Sequence, residues 1–395
     1  MQKFDVAVIG GGASGILAAI SAKRAGKSVV ICEKNPRLGK KLLVSGSGRC
    51  NLANEDLTEA HYNPDARLLV KSIFTQFGIK EIDRFFSQIG LKLYSQNGRI
   101  FPVTNQAASV LKLLEMELAR QEVILELGFE AVKIAHSKKG FVVSAKNNRS
   151  LSCDKLIISV GGKAYPALGS EGGGYNLAKQ LGHSIIEPVP SAVPLEVKDK
   201  ICHILQGQKI SAKAWSVIDE VKNPQVEGDV LFTKYGLSGT AILDVSQEIS
   251  LALNRLKRGE VFVCLDLIPF MAKDALEKEL YKRVEENIAD EDILVGILPN
   301  KFAVAFKDLF SVRDIEKAVS ELKNKKFKVT ATRGWNEAEF ALGGVKVSEV
   351  KEPTLESKIV PGLYLAGEIL DVTGKRGGYN LAWAWASGFI AGLCK

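Results

Sequence analysis

Gly10, Gly12 and Gly15 stand in a GxGxxG pattern between the apolar run FDVAVIG and the helical stretch ILAAISAKRAG. Glycines at this spacing allow a tight turn, let the backbone approach a pyrophosphate, and let helix and strand pack closely. The helix that follows turns its unsatisfied first-turn N–H groups and partial positive charge toward the phosphates. Glu33 closes the next apolar run, SVVIC, 18 residues after Gly15, where a carboxylate can accept hydrogen bonds from ribose hydroxyls. Just beyond it, KKLLVSGSGRCN (residues 40–51) places two lysines before two Ser-Gly pairs and an Arg-Cys-Asn close. A stretch this poor in core-forming side chains is usually a surface turn, and its place just after the glycine pattern raises the question of what it holds. The chemistry implied is dinucleotide binding. The GxGxxG pattern alone fits NAD and FAD equally.

The C-terminal text discriminates between them. GLYLAGEILDVTGKRGGYNLAWAW reads as a strand, a turn at Gly367-Glu368, and a helix opened by Gly377 and Gly378. A second helix start aimed at the same ligand suits FAD, with the flavin at that end and the ADP half on the glycine loop. GGYNLA occurs at 173–178 and again at 377–382. Either two similar helix starts flank one ligand, or favourable helix-start chemistry has been reused. No second GxGxxG follows a strand and opens a βαβ unit. NAD(P)H, if it reacts here, is expected to bind transiently and without a domain of its own. A redox role for Cys50 would require a partner thiol, and none is near it in sequence. Packing or hydrogen bonding is the favoured role, although Arg49 could supply the electropositive setting that reactivity needs. The four histidines (61, 136, 183 and 203) are isolated in sequence and read as structural, so no catalytic base is assigned.

These residues need an α/β scaffold. FDVAVIG, the helix after it and SVVIC make one βαβ unit. Residues 68–90 and 105–120 read as amphipathic helices around a hairpin-like segment at Asn97-Gly98, and 121–151 as a small antiparallel meander. KLIISVGG is a further buried strand. EPVPSAVPLEV, with three prolines, reads as a crossing between domains. Residues 195–265 look β-rich, and 272–325 look helical and highly charged. The organisation expected is a discontinuous FAD-binding domain (1–190 and 336–395), a β-rich insertion (191–270 and 322–335) and a helical insertion (271–321).

The bulk properties narrow the class. The chain has 395 residues, 46% of them hydrophobic, too many for one ordinary core. The net charge of +8 comes from basic residues spread along the chain, with no cationic tail. That favours a soluble enzyme handling phosphate over a nucleic-acid binder. The best local candidate for the latter, KNKKFK at 323–328, reads as a solvated face. The N-terminus lacks the pattern of a secretory signal, and no run reaches the ~18 apolar residues of a membrane span. Six scattered cysteines without a CxxC fit reduced thiols in a cytoplasm. Cys202-His203 has no second pair to complete a metal site.

VIGGGASG, GKKLLVSGSGRCNLAN, VGGKAYPALGSEGGGYNLAKQLGH, VLFTKYGLSGTAIL, LGGVKVSEV and GLYLAGEILDVTGKRGGYNLAWAWASG, in this order over nearly the whole chain, resemble the BaiN-like flavoprotein family. That family is also called the YhiN or aminoacetone-oxidase family. SGSGRCN and GGYNLAWAW are the most specific segments. The resemblance implies a Rossmann-type FAD-binding domain like that of glutathione reductase and fumarate reductase, with inserted β-barrel-like and helical domains and non-covalent FAD. It places Ala13, Ser14 and Glu33 along the ADP half, with Lys34, Lys40 and Lys41 near the adenosine or phosphates. The backbone around Val132 flanks the adenine. Ser47, Gly48, Arg49, Cys50 and Asn51 run beside the ribityl chain and flavin. Glu368, Asn380 and Leu381 close the flavin end, with Glu368 standing where related proteins often have Asp. The function implied is an FAD-dependent oxidoreductase acting on a small molecule, either oxidase or NAD(P)H-dependent reductase. The alternative is a flavin-dependent nucleic-acid-modifying or RNA-binding protein.

Overall fold

The first apolar run forms β1 (Gln2–Ile9), the glycine pattern opens α1 (Ala13–Arg24), and the second run forms β2 (Val29–Glu33), paired parallel to β1. The computed structural model describes residues 2–395. The next strand of this sheet, β3 (Ile124–Leu127), follows the helix Ala107–Arg120 and pairs parallel to β2, Val30 opposite Ile124. It therefore extends the parallel sheet rather than starting the expected meander. A helical crossover returns the chain to the same sheet end, which a local reading of VILEL cannot foresee.

The antiparallel meander begins one strand later, with β4 (Ala131–Ser137), β5 (Gly140–Ala145) and β6 (Ser150–Ile158). β6 also runs parallel to β1 on its other side, and the late strand Leu363–Leu365 pairs parallel to the end of β6. The sheet order β3-β2-β1-β6-β5-β4 thus sets the ends of β1, β2, β6 and Leu363–Leu365 along one edge. Ligands in open α/β sheets bind at this carboxyl edge.

Two further helices complete the framework of this edge: α2 (Gly173–Gln180) and α3 (Tyr379–Gly392). α3 lies against α1 because glycines face it. A Cβ on Gly388 would sit 2.2 Å from the Ser14 carbonyl oxygen, and one on Gly392 would sit 2.3 Å from that of Ala18. Trp383 and Trp385, both fully buried, donate their indole N–H groups to the Gly367 and Leu52 carbonyls at 3.2 Å each. The C-terminal helix is thereby tied to two loops of its own unit.

The chain divides into two compact units, Met1–Pro188 with Phe340–Lys395, and Val189–Glu339. In the second, β7 (Leu195–Val197), β8 (Lys209–Ile218), β9 (Val226–Thr233), β10 (Gly236–Ser238), β11 (Val261–Asp266) and β12 (Lys325–Thr332) pair in the cyclic order β8-β9-β10-β7-β12-β11, and β11 pairs back to β8. All six pairings are antiparallel, giving a closed barrel. The helix Thr240–Ser250 and the helices Lys273–Glu285, Asn300–Phe306 and Ile315–Lys323 share one apolar core with it. Phe232 of β9 meets Phe302 of the helical part edge to face at 5.4 Å. The expected β-rich (191–270, 322–335) and helical (271–321) insertions are therefore one unit. Short amphipathic helices bury their apolar stripes only against a larger surface, and here that surface is the barrel.

Candidate functional site: the glycine-loop edge of the first unit

The GxGxxG turn is built as its spacing requires. Gly10 has φ +104°, and a Cβ there would lie 2.7 Å from the Ser159 carbonyl oxygen. A Cβ on Gly15 would lie 1.9 Å from the Gly10 carbonyl oxygen, so α1 can approach the turn only with glycine there. Above Gly12, by contrast, no atom of the described residues lies within 4 Å of a Cβ position. No side chain of the described residues caps α1, so the first-turn N–H groups beside Ala13, Ser14 and Gly15 face that open side. An open, uncapped 12-residue helix start is the cradle that a diphosphate fits.

Glu33 is buried at the end of β2 and holds two loops at once. Its Oε2 accepts the Gly11 N–H at 2.7 Å, and its Oε1 accepts from the Asn35 backbone and amide at 2.8 and 2.6 Å. Lys40 continues the chain, donating to Asn35 Oδ1 at 2.8 Å. Lys34 pairs with Glu171 at 3.0 Å. Lys41 pairs with Glu368 at 2.8 Å, and the other Glu368 oxygen accepts the Ala341 N–H at 2.9 Å. The structure thus joins two residues 327 positions apart, the second lysine of the loop and the late carboxylate.

The loop itself is coiled in left-handed conformations at Gly46, Ser47, Gly48 and Cys50. Arg49 is directed at the antiparallel hairpin of Leu93–Gln96 and Arg99–Pro102 and the turn after it: Nε donates to Asn105 (3.0 Å), Nη2 to Tyr94 and Gln96 (2.9 Å each), and the guanidinium lies 4.3 Å from the Phe101 ring centre. Cys50 is fully buried, and burial pushes its thiol up to about 12 despite a hydrogen bond with Ser45. With the amide of Asn51 oriented to suit its neighbours, its oxygen accepts the Gly378 N–H at 3.1 Å. Gly378 has φ +102°, and a Cβ there would strike the Ala53 carbonyl oxygen at 2.2 Å. Asn380 clasps Gly374 with both ends of its amide, and Leu381 follows in the half-buried first turn of α3. Gly367, φ +78°, brings its N–H to Ser387 Oγ at 2.9 Å. Val132 lies on β4 with an exposed side chain, and its carbonyl accepts from Gln180 of α2 at 3.0 Å.

Several polar groups at this edge carry no motif in the sequence. His61 Nε2 lies 2.7 Å from Asp56 Oδ2, and its ring stacks on Tyr379, the first residue of α3, at 4.5 Å. Its carbonyl accepts the Lys375 N–H, while Asn54 donates to the Gly377 carbonyl at 3.0 Å. Arg99 Nε lies 3.6 Å from the Cβ position of Gly377. An imidazole, a carboxylate, a phenol and a guanidinium are thus gathered around the α3 start from residues spread between 56 and 379.

The buried histidine, His183, is structural. His183 sits between Ser357 Oγ and Glu349 Oε2 at 2.9 Å each, an order that resembles a hydrolytic triad. Ser357 is only 2% exposed, and its oxygen already accepts the Ile359 and Val360 N–H groups, so it locks a turn.

The second unit carries a cleft of about 420 Å³, lined among others by Lys198, Lys200, His203, Lys234, Tyr235 and Arg333. Arg333 is bound there by Glu196 and Glu337 at 3.1 and 2.7 Å. In the KNKKFK stretch, Lys323 is drawn inward, to Asp266 and the Ile268 and Met271 carbonyls. Lys326 covers the Phe262 ring at 3.8 Å. Residues 189–339 hold 22 lysines and arginines against 24 aspartates and glutamates, so this unit is not the source of the chain's positive charge. No helix of the described residues is long and apolar enough to cross a membrane.

Comparison with known proteins adds four findings. The family model described as "HI0933-like protein Rossmann domain" matches residues 4–394. The 3-dehydro-bile acid delta(4,6)-reductase of Clostridium scindens is 38% identical over 98% of each chain. The ribosomal RNA dihydrouridine synthase of Escherichia coli is 30% identical over 98% of this chain and 96% of that one. Among solved structures, 3-ketosteroid delta1-dehydrogenase from Sterolibacterium denitrificans aligns over 99% of both chains with TM-score 0.54 and 13% identity, a likeness of fold.

Proposed function

This chain belongs to the HI0933-like Rossmann-domain family and is an FAD-dependent oxidoreductase, and from that premise we propose that it saturates a carbon–carbon double bond conjugated to a carbonyl. One observation carries the reading. Two relatives that align with it end to end are named for different substrates and the same reaction. The first name states loss of double bonds conjugated to a 3-oxo group, and the second states saturation of a uracil ring. FAD, held by the glycine loop, the α1 start and Glu33, would supply the two electrons as hydride when reduced, and the substrate carbon α to the carbonyl would take the balancing proton from the protein or solvent.

The chain's own residues meet the remaining needs. The glycine loop, the α1 start and Glu33 hold the ADP half, and the Lys41–Glu368 pair and the 45–51 loop line the way to the α3 start. Arg99 and the α3 N–H groups suit an enone oxygen on which negative charge develops. His61, oriented by Asp56, is the side chain placed to pass a proton to the substrate. The small molecule is a polycyclic or cyclic enone. A nicotinamide nucleotide is the source of electrons, reacting without a second dinucleotide fold. Six unpaired cysteines, five of them buried, support a reducing compartment.

The test is anaerobic. Photoreduced holoenzyme is mixed with a 3-oxo-4-ene steroid, with uridine-containing RNA, or with air-saturated buffer. Stoichiometric reoxidation by the enone with formation of the saturated ketone is the expected result. Slow reoxidation by every conjugated carbonyl tested, alongside rapid reoxidation by oxygen, would convert the assignment to an oxidase. The RNA arm reads out the second reading, which the Escherichia coli relative favours.

A further inference from the structure

We propose that Tyr175 is a further cofactor-binding residue, whose hydroxyl donates a hydrogen bond to the ribityl-diphosphate stretch of FAD. The proposal rests on FAD being the cofactor of this chain and is independent of the substrate. Tyr175 is 6% exposed, and its hydroxyl is buried with no hydrogen-bond partner in the described residues. Native folds rarely leave such a group unpaired, because it has given up water without replacement.

The hydroxyl is aimed at a particular place. A Cβ on Gly162 would lie 3.1 Å from Tyr175 Oη and 3.1 Å from the carboxyl carbon of Glu368. A Cβ on neighbouring Gly161 would lie 3.7 Å from Ser170 Oγ and 3.9 Å from Glu368 Oε2. Gly161 and Gly162 end the β6 turn, beside the Gly10 turn at the end of parallel β1. Tyr175 and the Lys41–Glu368 pair therefore converge on backbone stripped of side chains, at the same sheet edge as the glycine loop. Lys41 is already committed to Glu368, which leaves the tyrosine as a donor still to be matched. Its position is fixed, since Gly174 packs on Val160 so closely that a Cβ would lie 1.9 Å from Val160 Cγ2. Burial, with Glu368 and Asp371 nearby, holds the phenol well above its ordinary range, so it remains a donor at every working pH.

The two GGYNLA copies then differ in role. In the first, both glycines lie inside α2 and the tyrosine points inward unpaired. In the second, the helix starts at Tyr379, whose carbonyl accepts the Tyr62 hydroxyl at 2.7 Å.

The experiment compares wild type and Tyr175→Phe as holoenzymes, following FAD release by flavin fluorescence on dilution, with melting of the two apoproteins alongside. The wild-type release curve establishes FAD binding separately. The expected result is an FAD dissociation constant raised about tenfold, the share of one net hydrogen bond, with apoprotein melting unchanged or slightly higher. An unchanged dissociation constant overturns the proposal. So does a variant apoprotein that melts several degrees lower, which would mean that the hydroxyl has a partner within the fold.

Discussion

The two units solve different packing problems. The first holds 29 of the 36 glycines, and the second holds 7. The first also carries 31 basic against 21 acidic residues, while the second is slightly acidic. In the first unit glycine sits where backbone must meet backbone, at Gly15 on Gly10, Gly388 on Ser14 and Gly378 on Ala53. Close approach of this kind exposes peptide N–H groups to a ligand and leaves no side chain between them. The second unit instead closes a barrel and covers it with helices through large apolar side chains such as Phe232, Phe302 and Phe327. The positive charge follows the cofactor unit, as expected of a surface that handles a diphosphate, and it counts against an RNA-binding role for the insertion.

The strongest test of this contrast is a pair of glycine substitutions. Gly15→Val should abolish FAD retention and cost roughly 3 kcal/mol or more, since its side chain has no room against Gly10. Gly259→Ala in the second unit meets nothing within 4 Å and should stay within about 0.5 kcal/mol. Flavin content after purification and urea midpoints read both, and similar losses at the two sites would dissolve the distinction. Next in size, His61→Gln should keep FAD and the fold while slowing enone reduction about 10²–10⁴-fold, the range of a lost proton donor. Full turnover with normal flavin reduction would remove His61 from the reaction.

Glu33→Ala should weaken FAD binding by roughly ten- to hundred-fold. It should also lower apoprotein melting, because the Gly11 and Asn35 N–H groups lose their acceptor. Titration of apoprotein with FAD and a melt without it separate the two effects; an effect on neither would make Glu33 dispensable.

A smaller, pH-dependent term comes from Glu117. Burial opposes its charge, but hydrogen bonds from Arg120, Arg24 and Gln121 together hold its carboxyl below the ordinary value of 4.5. A lowered folded value means stability that is present above about pH 4.5 and is lost as the pH falls through the folded value. The penalty of Glu117→Gln should therefore be larger at pH 6 than at pH 3.5, measured by urea unfolding; equal penalties would show that the ion pair adds nothing. Least of all should change in Cys50→Ser, where FAD retention and most turnover are expected to survive. Native Cys50 should resist iodoacetamide at pH 8, since burial removes both access and thiolate.

The sequence by itself determined the βαβ unit, the glycine loop and the residue at the end of β2, because these depend on short-range spacing. A strand, a glycine turn and a helix start are local objects, and their geometry allows few residue types. Local text likewise marked the β-rich and helical segments of the insertion. It could not say that they share one core, since that depends on which apolar faces meet across more than 100 residues. Nor could it place Ile124–Leu127, whose partner is chosen by the crossover before it. The polar groups at the α3 start belong to the same class. Asp56, His61 and Arg99 show no periodicity or motif, and only the fold sets them beside Tyr379 of the second GGYNLA copy. Tyr175 lies between the two cases. The repeated GGYNLA made it visible, but only the fold shows its hydroxyl buried, unpaired and facing Gly162, because the path of the β6 turn beneath it is a tertiary fact.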